Sequence, residues 1–391
     1  MNIAFFYENE ISPYKGGTEG VTYTLSHHFK EKGLNVIYII KNKENIPDKD
    51  NSTKTFYIPN VEQYDSIENF KFINKIVYNE KIDIIINQCA YTDCIKLFRN
   101  DKINAKIITC LHFQPSIGLS YFNKMFDLEL NLKKPTKFIY NLLRRIKLPY
   151  NKQKIWNAKK KQYKFIAEHS DAFILLSENF KDNILKFIPK HLYYKIYYIT
   201  NPLKKRAVAN IKKENSILFV GRLEYSSKRV DLAIKIWSII EKKHKDWCFN
   251  IIGDGEERSK LEDLVKKLHL ERVFFHGQCN PEKFYNKSKI LILTSIHEGL
   301  GLVVLEALQH KVVPLVFDTY ESIHDIINNG ENGIIIEPFN LKKYAKELEN
   351  LIISEDNLKR LSQNNDITLK KFDIDYIYKK WIKLFKELTE Q

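Results

Sequence analysis

Ser295-Ile296-His297-Glu298-Gly299-Leu300-Gly301-Leu302-Val303-Val304-Leu305-Glu306-Ala307 follows directly on the β-rich run Ile290–Thr294. Two glycines break the strand pattern, and an apolar helical pattern starts near Gly301. The first N–H groups of such a helix have no partner inside it and carry the positive end of its dipole, so they favour an anion. Glu298 stands in the loop just ahead of that point and Glu306 lies a turn or more inside the helix, so two carboxylates flank one phosphate-sized site. Carboxylates repel phosphate, and the task left to them is to accept hydrogen bonds from hydroxyl groups on either side of it. Glu306 in an apolar helix is costly to bury without such partners; the alternative is that it caps or pairs elsewhere.

Two further glycine corners precede this one. Gly221-Arg222-Leu223 follows the strand-like Ser216–Val220 and is followed by Lys228, so a guanidinium and an ammonium stand at one strand mouth, suited to a diphosphate without a metal. Gly253-Asp254-Gly255-Glu256 follows Cys248–Ile252, where glycine permits a tight turn. The strand series continues with Val273–His276, Val312–Phe317 and Gly333–Ile336, each followed by a helical pattern. The first half alternates in the same way, with strands at Asn2–Tyr7, Asn35–Ile40, Thr55–Ile58, Ile82–Asn87, Lys106–Cys110, Ala172–Leu176 and Ile196–Ile199, and helices at Thr18–Lys32 and Asp65–Glu80. Alternation of this kind makes parallel sheets wrapped by helices. Asn201-Pro202 ends the first series. The expectation is an α/β chain of two Rossmann-like doubly wound domains, 1–202 and 203–372, with a helical tail, 373–391, packing back on the first. Ligands of such sheets bind at the carboxyl ends of the strands, which makes a cleft between facing domains the expected site.

The 391 residues, 44% hydrophobic and 28% charged, suffice for two cores and exclude disordered, collagen-like and linker-dominated classes. No run approaches the roughly 18 apolar residues of a spanning helix. The start, Met1-Asn2-Ile3-Ala4-Phe5-Phe6-Tyr7-Glu8, suits a first strand better than a signal peptide, which points to the cytosol. Five scattered cysteines suggest neither a disulfide framework nor zinc, and buried thiols are expected. The acid-rich Asp48-Lys49-Asp50 and Asp373-Ile374-Asp375 do not read as metal sites. Tyr121–Lys164 holds thirteen basic residues against Asp127 and Glu129, a net +11 of the chain's +15. Aromatic and aliphatic residues interleave with these charges, as on a helix lying on an anionic lipid surface; a solvated helical face and a nucleic-acid contact are the competing readings.

These residues resemble the retaining glycosyltransferases of family 4, which have the GT-B fold. The resemblance runs over nearly the whole chain. It is carried by Gly16-Gly17-Thr18-Glu19, by Gly221-Arg222-Leu223 with Lys228 and Asp231, by Gly253-Asp254-Gly255-Glu256, by Phe275-His276-Gly277, and by Glu298 and Glu306 as an E-x7-E element. It implies two facing Rossmann-like domains with an interdomain cleft, a nucleoside-diphosphate sugar (UDP-sugar foremost) as donor, and neither cofactor nor metal. By the same resemblance Arg222 and Lys228 hold the donor diphosphate, Glu298 the donor-sugar hydroxyls and Glu306 the ribose. His112 stands beside the transferred sugar, Gly16 and Gly17 form a close-approach loop, and Gly221, Gly253, Gly277, Gly299, Leu300, Gly301 and Leu302 shape the nucleotide-binding turns. The chemistry implied is transfer of a hexose, with retained configuration and front-face attack, to a hydroxyl of a glycan or lipid-linked acceptor in cell-surface polysaccharide or lipopolysaccharide synthesis.

Phe317–Ile327 departs from the family, replacing a Gly-rich stretch, so the far wall of the sugar pocket and the donor's identity do not carry over. The basic segment falls where the family varies most and often meets lipid-linked acceptors; with it comes the expectation of a peripheral position on the inner face of the cell membrane, with no nucleic-acid partner. Of two other readings, a nucleotide-sugar epimerase on the same fold is opposed by the Gly-Arg-Leu and E-x7-E elements taken together, and a non-catalytic membrane- or nucleic-acid-binding protein by the intact pocket residues.

Overall fold

A computed structural model describes residues 1–13, 17–46, 49–98, 103–122, 135–204 and 211–390. It divides into two compact units, Met1–Ser116 with Lys154–Lys204 and Lys371–Gln391, and Ile117–Gln153 with Lys205–Lys370. The segment Ile117–Gln153 thus groups with the second unit, where the sequence-based boundary had placed it in the first domain.

Unit 1 is built on a seven-stranded sheet in the order β3-β2-β1-β4-β5-β6-β7. Its strands are β1 Asn2–Tyr7, β2 Asn35–Ile40, β3 Lys54–Tyr57, β4 Ile84–Asn87, β5 Lys106–Leu111, β6 Ala172–Leu175 and β7 Ile196–Tyr198. All neighbours pair in parallel. Parallel strands covered by helices on both faces read as unbroken apolar runs, and Ile84, Ile85 and Ile86 are all fully buried. β4 starts two residues later than the expected Ile82.

The helix Ile374–Thr389 closes unit 1, capped by Asp373, whose side chain accepts from Asp375 N and Tyr376 N. Its apolar face meets the helix Thr18–Glu31: Phe29 packs edge-on against Tyr378, Trp381 and Phe385 at 5.8, 6.3 and 5.8 Å. Asp375, read from the sequence as part of an acidic triplet, lies 2.7 Å from Lys32 Nζ.

Unit 2 holds a six-stranded parallel sheet in the order β10-β9-β8-β11-β12-β13. The strands are β8 Ser216–Val220, β9 Cys248–Ile252, β10 Val273–Phe275, β11 Ile290–Leu293, β12 Val313–Phe317 and β13 Ile334–Ile336. Both orders reverse beside the first strand of the unit, which is the switch point at which doubly wound sheets take ligands.

The basic segment forms two helices, Pro135–Ile146 and Leu148–His169; Lys124, Lys133 and Lys134 lie outside the described residues. On the first helix Ile139, Leu143 and Ile146, spaced four and three apart, are 58%, 57% and 68% exposed, an apolar stripe turned to solvent. On the second, Lys159 is buried. Among the described residues no helix is long and apolar enough to cross a membrane. Cys89, Cys94 and Cys110 are buried thiols, but Cys248 is only partly buried and Cys279 is exposed, because each follows the depth of its own segment.

Candidate active site

The glycine turns that follow β8, β9 and β10 lock together at the carboxyl edge of the unit 2 sheet. Gly221 N donates to Ile252 O at 3.0 Å, Leu223 N to Asp254 O at 2.9 Å, and Gly253 N to Gly277 O at 2.8 Å. A side chain at Gly253 would bring its Cβ to 2.0 Å from Gly221 O, and one at Gly255 to 2.4 Å from Leu223 O. These glycines are therefore required by backbone-on-backbone packing, and Gly253 also has φ +131°.

The strand β11 edge is joined to the turn after β8 in the same way. Thr294 Oγ1 donates to the carbonyls of Lys228 and Arg229 at 3.2 and 2.9 Å, and Ile296 N donates to Ser227 O at 2.6 Å. This lacing brings Lys228 Nζ to 2.6 Å from Glu298 Oε1, an oxygen that also accepts from Ser295 Oγ at 2.7 Å. Arg229, in the left-handed region at φ 48°, forks onto Asp231 at 2.8 and 3.0 Å and lies over the Tyr225 ring. Burial alone would raise the Asp231 carboxyl, but the hydrogen bonds and charge of Arg229, helped by Lys235, hold it below its usual value. Asp231 thus fixes the turn that carries Lys228. Arg222 extends into solvent, 76% exposed, with Nη1 3.8 Å from Glu224.

Gly301 caps the helix Leu302–Gln309 with φ 84° and ψ 49°, so the helix begins one residue beyond the glycine. Gly299 sits in the same turn, its carbonyl accepting from Ser322 Oγ at 2.9 Å, and Leu300 is buried beside it. One helical turn in, Glu306 accepts from Tyr285 OH at 3.0 Å. Beneath the turn lies Tyr320, buried, its hydroxyl 2.9 Å from the place a Cβ on Gly301 would take. Burial and the charge of Glu298 push the Tyr320 phenol well up.

In unit 1, His112 follows β5 and its Nε2 lies 2.5 Å from Gln88 Oε1. Burial lowers the imidazole to a pKa of about 4. Gly17, φ 68°, caps the helix Thr18–Glu31 with open space where a Cβ would be; Gly16 lies outside the described residues. Unit 2 therefore collects Lys228, Glu298, Gly221, Gly253, Gly277, Gly299 and Gly301 on one rim, with Glu306 behind it, and unit 1 carries Gly17 and His112 at the carboxyl edge of its own sheet. Sequence reasoning passed over Ser295, Tyr285, Tyr320 and Gln88. Tyr320 lay in a stretch marked as unusual, and Ser295 opened the stretch that decided the fold, though neither was given a role.

A family model described as glycosyl transferases group 1 matches residues 201–367, the span that builds this rim. Over that span the chain is similar to the glycosyl transferases group 1 family. The chain is 32% identical over 191 residues to an uncharacterized glycosyltransferase of Haemophilus influenzae, covering 48% of this chain and 54% of that protein. It is 31% identical over 180 residues to the GalNAc-alpha-(1->4)-GalNAc-alpha-(1->3)-diNAcBac-PP-undecaprenol alpha-1,4-N-acetyl-D-galactosaminyltransferase of Campylobacter jejuni, with 46% and 50% covered. Against the poly(ribitol-phosphate) alpha-N-acetylglucosaminyltransferase of Staphylococcus aureus the identity is 28% over 233 residues, with 58% and 46% covered. The chain thus spans about half the length of these curated relatives.

Solved structures extend the likeness of fold to the whole chain. A TarM variant of S. aureus, crystallised with Fondaparinux, alpha-GlcNAc-glycerol and UDP, superposes with a TM-score of 0.73 at 17% identity, covering 98% of this chain and 99% of that one. The pneumococcal O-GlcNAc transferase GtfA, crystallised with UDP and GlcNAc, gives 0.76 at 14% identity, with 100% and 99% covered. The chain therefore has the GT-B fold.

Proposed function

We propose that the chain transfers a hexose, with retained anomeric configuration, from a nucleoside-diphosphate sugar to a hydroxyl of a glycan or lipid-linked acceptor in cell-surface polysaccharide or lipopolysaccharide synthesis. UDP-sugar is the donor class this reading favours. The observation that carries it is the Lys228–Glu298 pair, held beside the Gly301 helix start on the rim of unit 2. Departure of a nucleoside diphosphate is the demanding step, and a fixed ammonium next to a helix N-terminus stabilises the charge that develops there. In this reading Arg222, long and solvent-facing, swings onto the diphosphate, Glu298 turns a carboxylate oxygen to the sugar hydroxyls, and Glu306 meets the ribose. The activities named for the C. jejuni and S. aureus relatives, and UDP in the TarM and GtfA crystals, support the donor and acceptor classes.

The exposed stripe on Pro135–Ile146, with Arg144, Arg145 and Lys147 on the same short helix and its end, supports a peripheral position on anionic membrane, on the cytoplasmic face, where a lipid-linked acceptor is available. The test of the activity is incubation with a panel of nucleotide sugars while free nucleotide is followed, with and without lipid-linked and free glycan acceptors. Acceptor-dependent release from a UDP-sugar is expected. Interconversion of the nucleotide sugar without release would establish an epimerase instead, and no turnover with any donor would reject the reading.

A further inference from the structure

The carboxyl edge of the first sheet holds polar groups that the fold leaves unsatisfied. β4 ends at Asn87 and β5 at Leu111, and the two strands are parallel neighbours with Asn87 opposite Thr109. Gln88 and His112 therefore leave the sheet side by side, at the edge where doubly wound sheets take ligands. An amide oxygen can only accept, so the contact of Gln88 Oε1 with His112 Nε2 requires the ring to donate from Nε2. In the neutral ring Nδ1 then carries the lone pair.

His112 Nδ1 is buried and has no hydrogen-bond partner among the described residues. The same holds for Gln88 Nε2, Asn87 Nδ2 and Gln114 Oε1, and these three residues are all at most 3% exposed. Buried polar groups are rarely left unpaired, and four at one sheet edge mark a place kept for something. The set contains two donors and two acceptors. An anion offers acceptors only and would leave Nδ1 and Gln114 Oε1 unpaired; a cation would leave the two amide N–H groups unpaired. A hydroxyl both donates and accepts, so a sugar hydroxyl fits the free donor of Gln88 and the free acceptor of His112, the two residues of this set that touch one another. Tyr91 and Phe113, with ring centroids 6.4 Å apart, stand on the same two loops and supply the apolar surface that sugar rings pack against.

We infer that Gln88 is a positioning residue that holds His112 as its Nε2–H tautomer, so that Nδ1 is offered as an acceptor to a sugar hydroxyl. This rests on the proposed function for its ligand class, while the tautomer itself is a property of the protein alone.

The test is nitrogen NMR of protein labelled with 15N-histidine, whose ring nitrogens report which one carries the proton. Wild type is expected to show His112 protonated at Nε2, Gln88→Met to lose that preference, and Gln88→Glu, which restores an acceptor, to regain it. A panel of UDP-glucose, UDP-galactose and their N-acetyl forms, with the free sugars in parallel, should shift the Nδ1 resonance, and UDP alone should not. A shift with the UDP-sugars only assigns the hydroxyl to the donor, and one with a free sugar to a second sugar. Gln88→Met should lower kcat about fivefold to twentyfold, the scale of one hydrogen bond, with partial rescue by Gln88→Glu. Protonation at Nδ1 in wild type, an unchanged tautomer in Gln88→Met, no shift with any sugar, or an equal shift with UDP alone would each overturn the inference. A tautomer that follows Gln88, and a shift with free sugars, in a protein that turns over no nucleotide sugar would instead reject the transferase reading and leave the role of Gln88 standing.

Discussion

Lys228 and Glu298 are 70 residues apart in sequence and 2.6 Å apart in the structure. They meet because β8 and β11 are adjacent and parallel, so the turns that leave them emerge together. Both side chains are largely shielded from solvent, at 20% and 12% exposure, so the pair is worth more than a surface ion pair of the same length.

Replacing either partner by an uncharged residue strands the other charge in a partly buried place. Lys228→Met and Glu298→Gln are each expected to lower turnover roughly tenfold to a hundredfold, since a charge-assisted contact is worth about 1.5 to 3 kcal/mol. The double variant should fall well short of the product of the two effects, because both remove one interaction. Nucleotide-release kinetics on all four proteins check this, and strictly multiplicative losses would show that the two side chains act separately.

Gly253→Ala is expected to destabilise unit 2 by about 3 kcal/mol or more, because the added Cβ falls 2.0 Å from Gly221 O and the backbone there has φ +131°. Gly330→Ala, with φ +82° and nothing within 4 Å, carries only the left-handed strain of about 1 to 2 kcal/mol. Urea unfolding of the two variants compares them directly, and equal losses would contradict the backbone contact.

Lys159 is buried between Phe113 and Tyr163, its Nζ 6.0 and 5.3 Å from their ring centroids. Burial lowers its pKa to about 8, against about 10.4 in an unfolded chain. The unfolded chain therefore binds this proton more tightly, and stability should rise as pH increases from about 8 to about 10.4. Below pH 8 the full burden of the buried charge is present, on the order of 3 kcal/mol at about 1.4 kcal/mol per pH unit. Lys159→Met should be the more stable protein at pH 7 and lose that advantage by pH 10.5. Lys213, also lowered to about 8 by burial, keeps its own slope in both proteins. Denaturation midpoints that track each other across this range would remove Lys159 as the source.

The helix Pro135–Ile146 should bring the protein reversibly to anionic vesicles, more weakly as salt rises, since each basic residue near such a surface contributes about 1 kcal/mol. Co-sedimentation of wild type and of a variant with Ile139, Leu143 and Ile146 changed to Ser separates apolar insertion from charge. Equal binding to neutral and anionic lipid, or no loss in the variant, would reject the membrane role.

The strands were readable because parallel sheets covered on both faces demand near-continuous apolar runs: β1, β2, β8 and β9 fall on the residues expected. The glycine corners were readable for a related reason, since a backbone that packs on backbone admits one residue type. Ser295, Tyr285 and Gln88 were not, because each acts through a partner on another strand or helix, and an ordinary polar residue carries no local mark of the partner it will meet. Lys159 shows the same limit from the other side. Within a run of lysines it looked like its neighbours, and only the packing of its helix against the loop after β5 distinguishes it.

The helix Ile374–Thr389 covers Phe29 in unit 1, yet the ribosome makes it after all of 205–370. Unit 2 has its full sheet available while unit 1 still shows an aromatic patch to solvent, so the earlier-made half of the protein is the later to be completed.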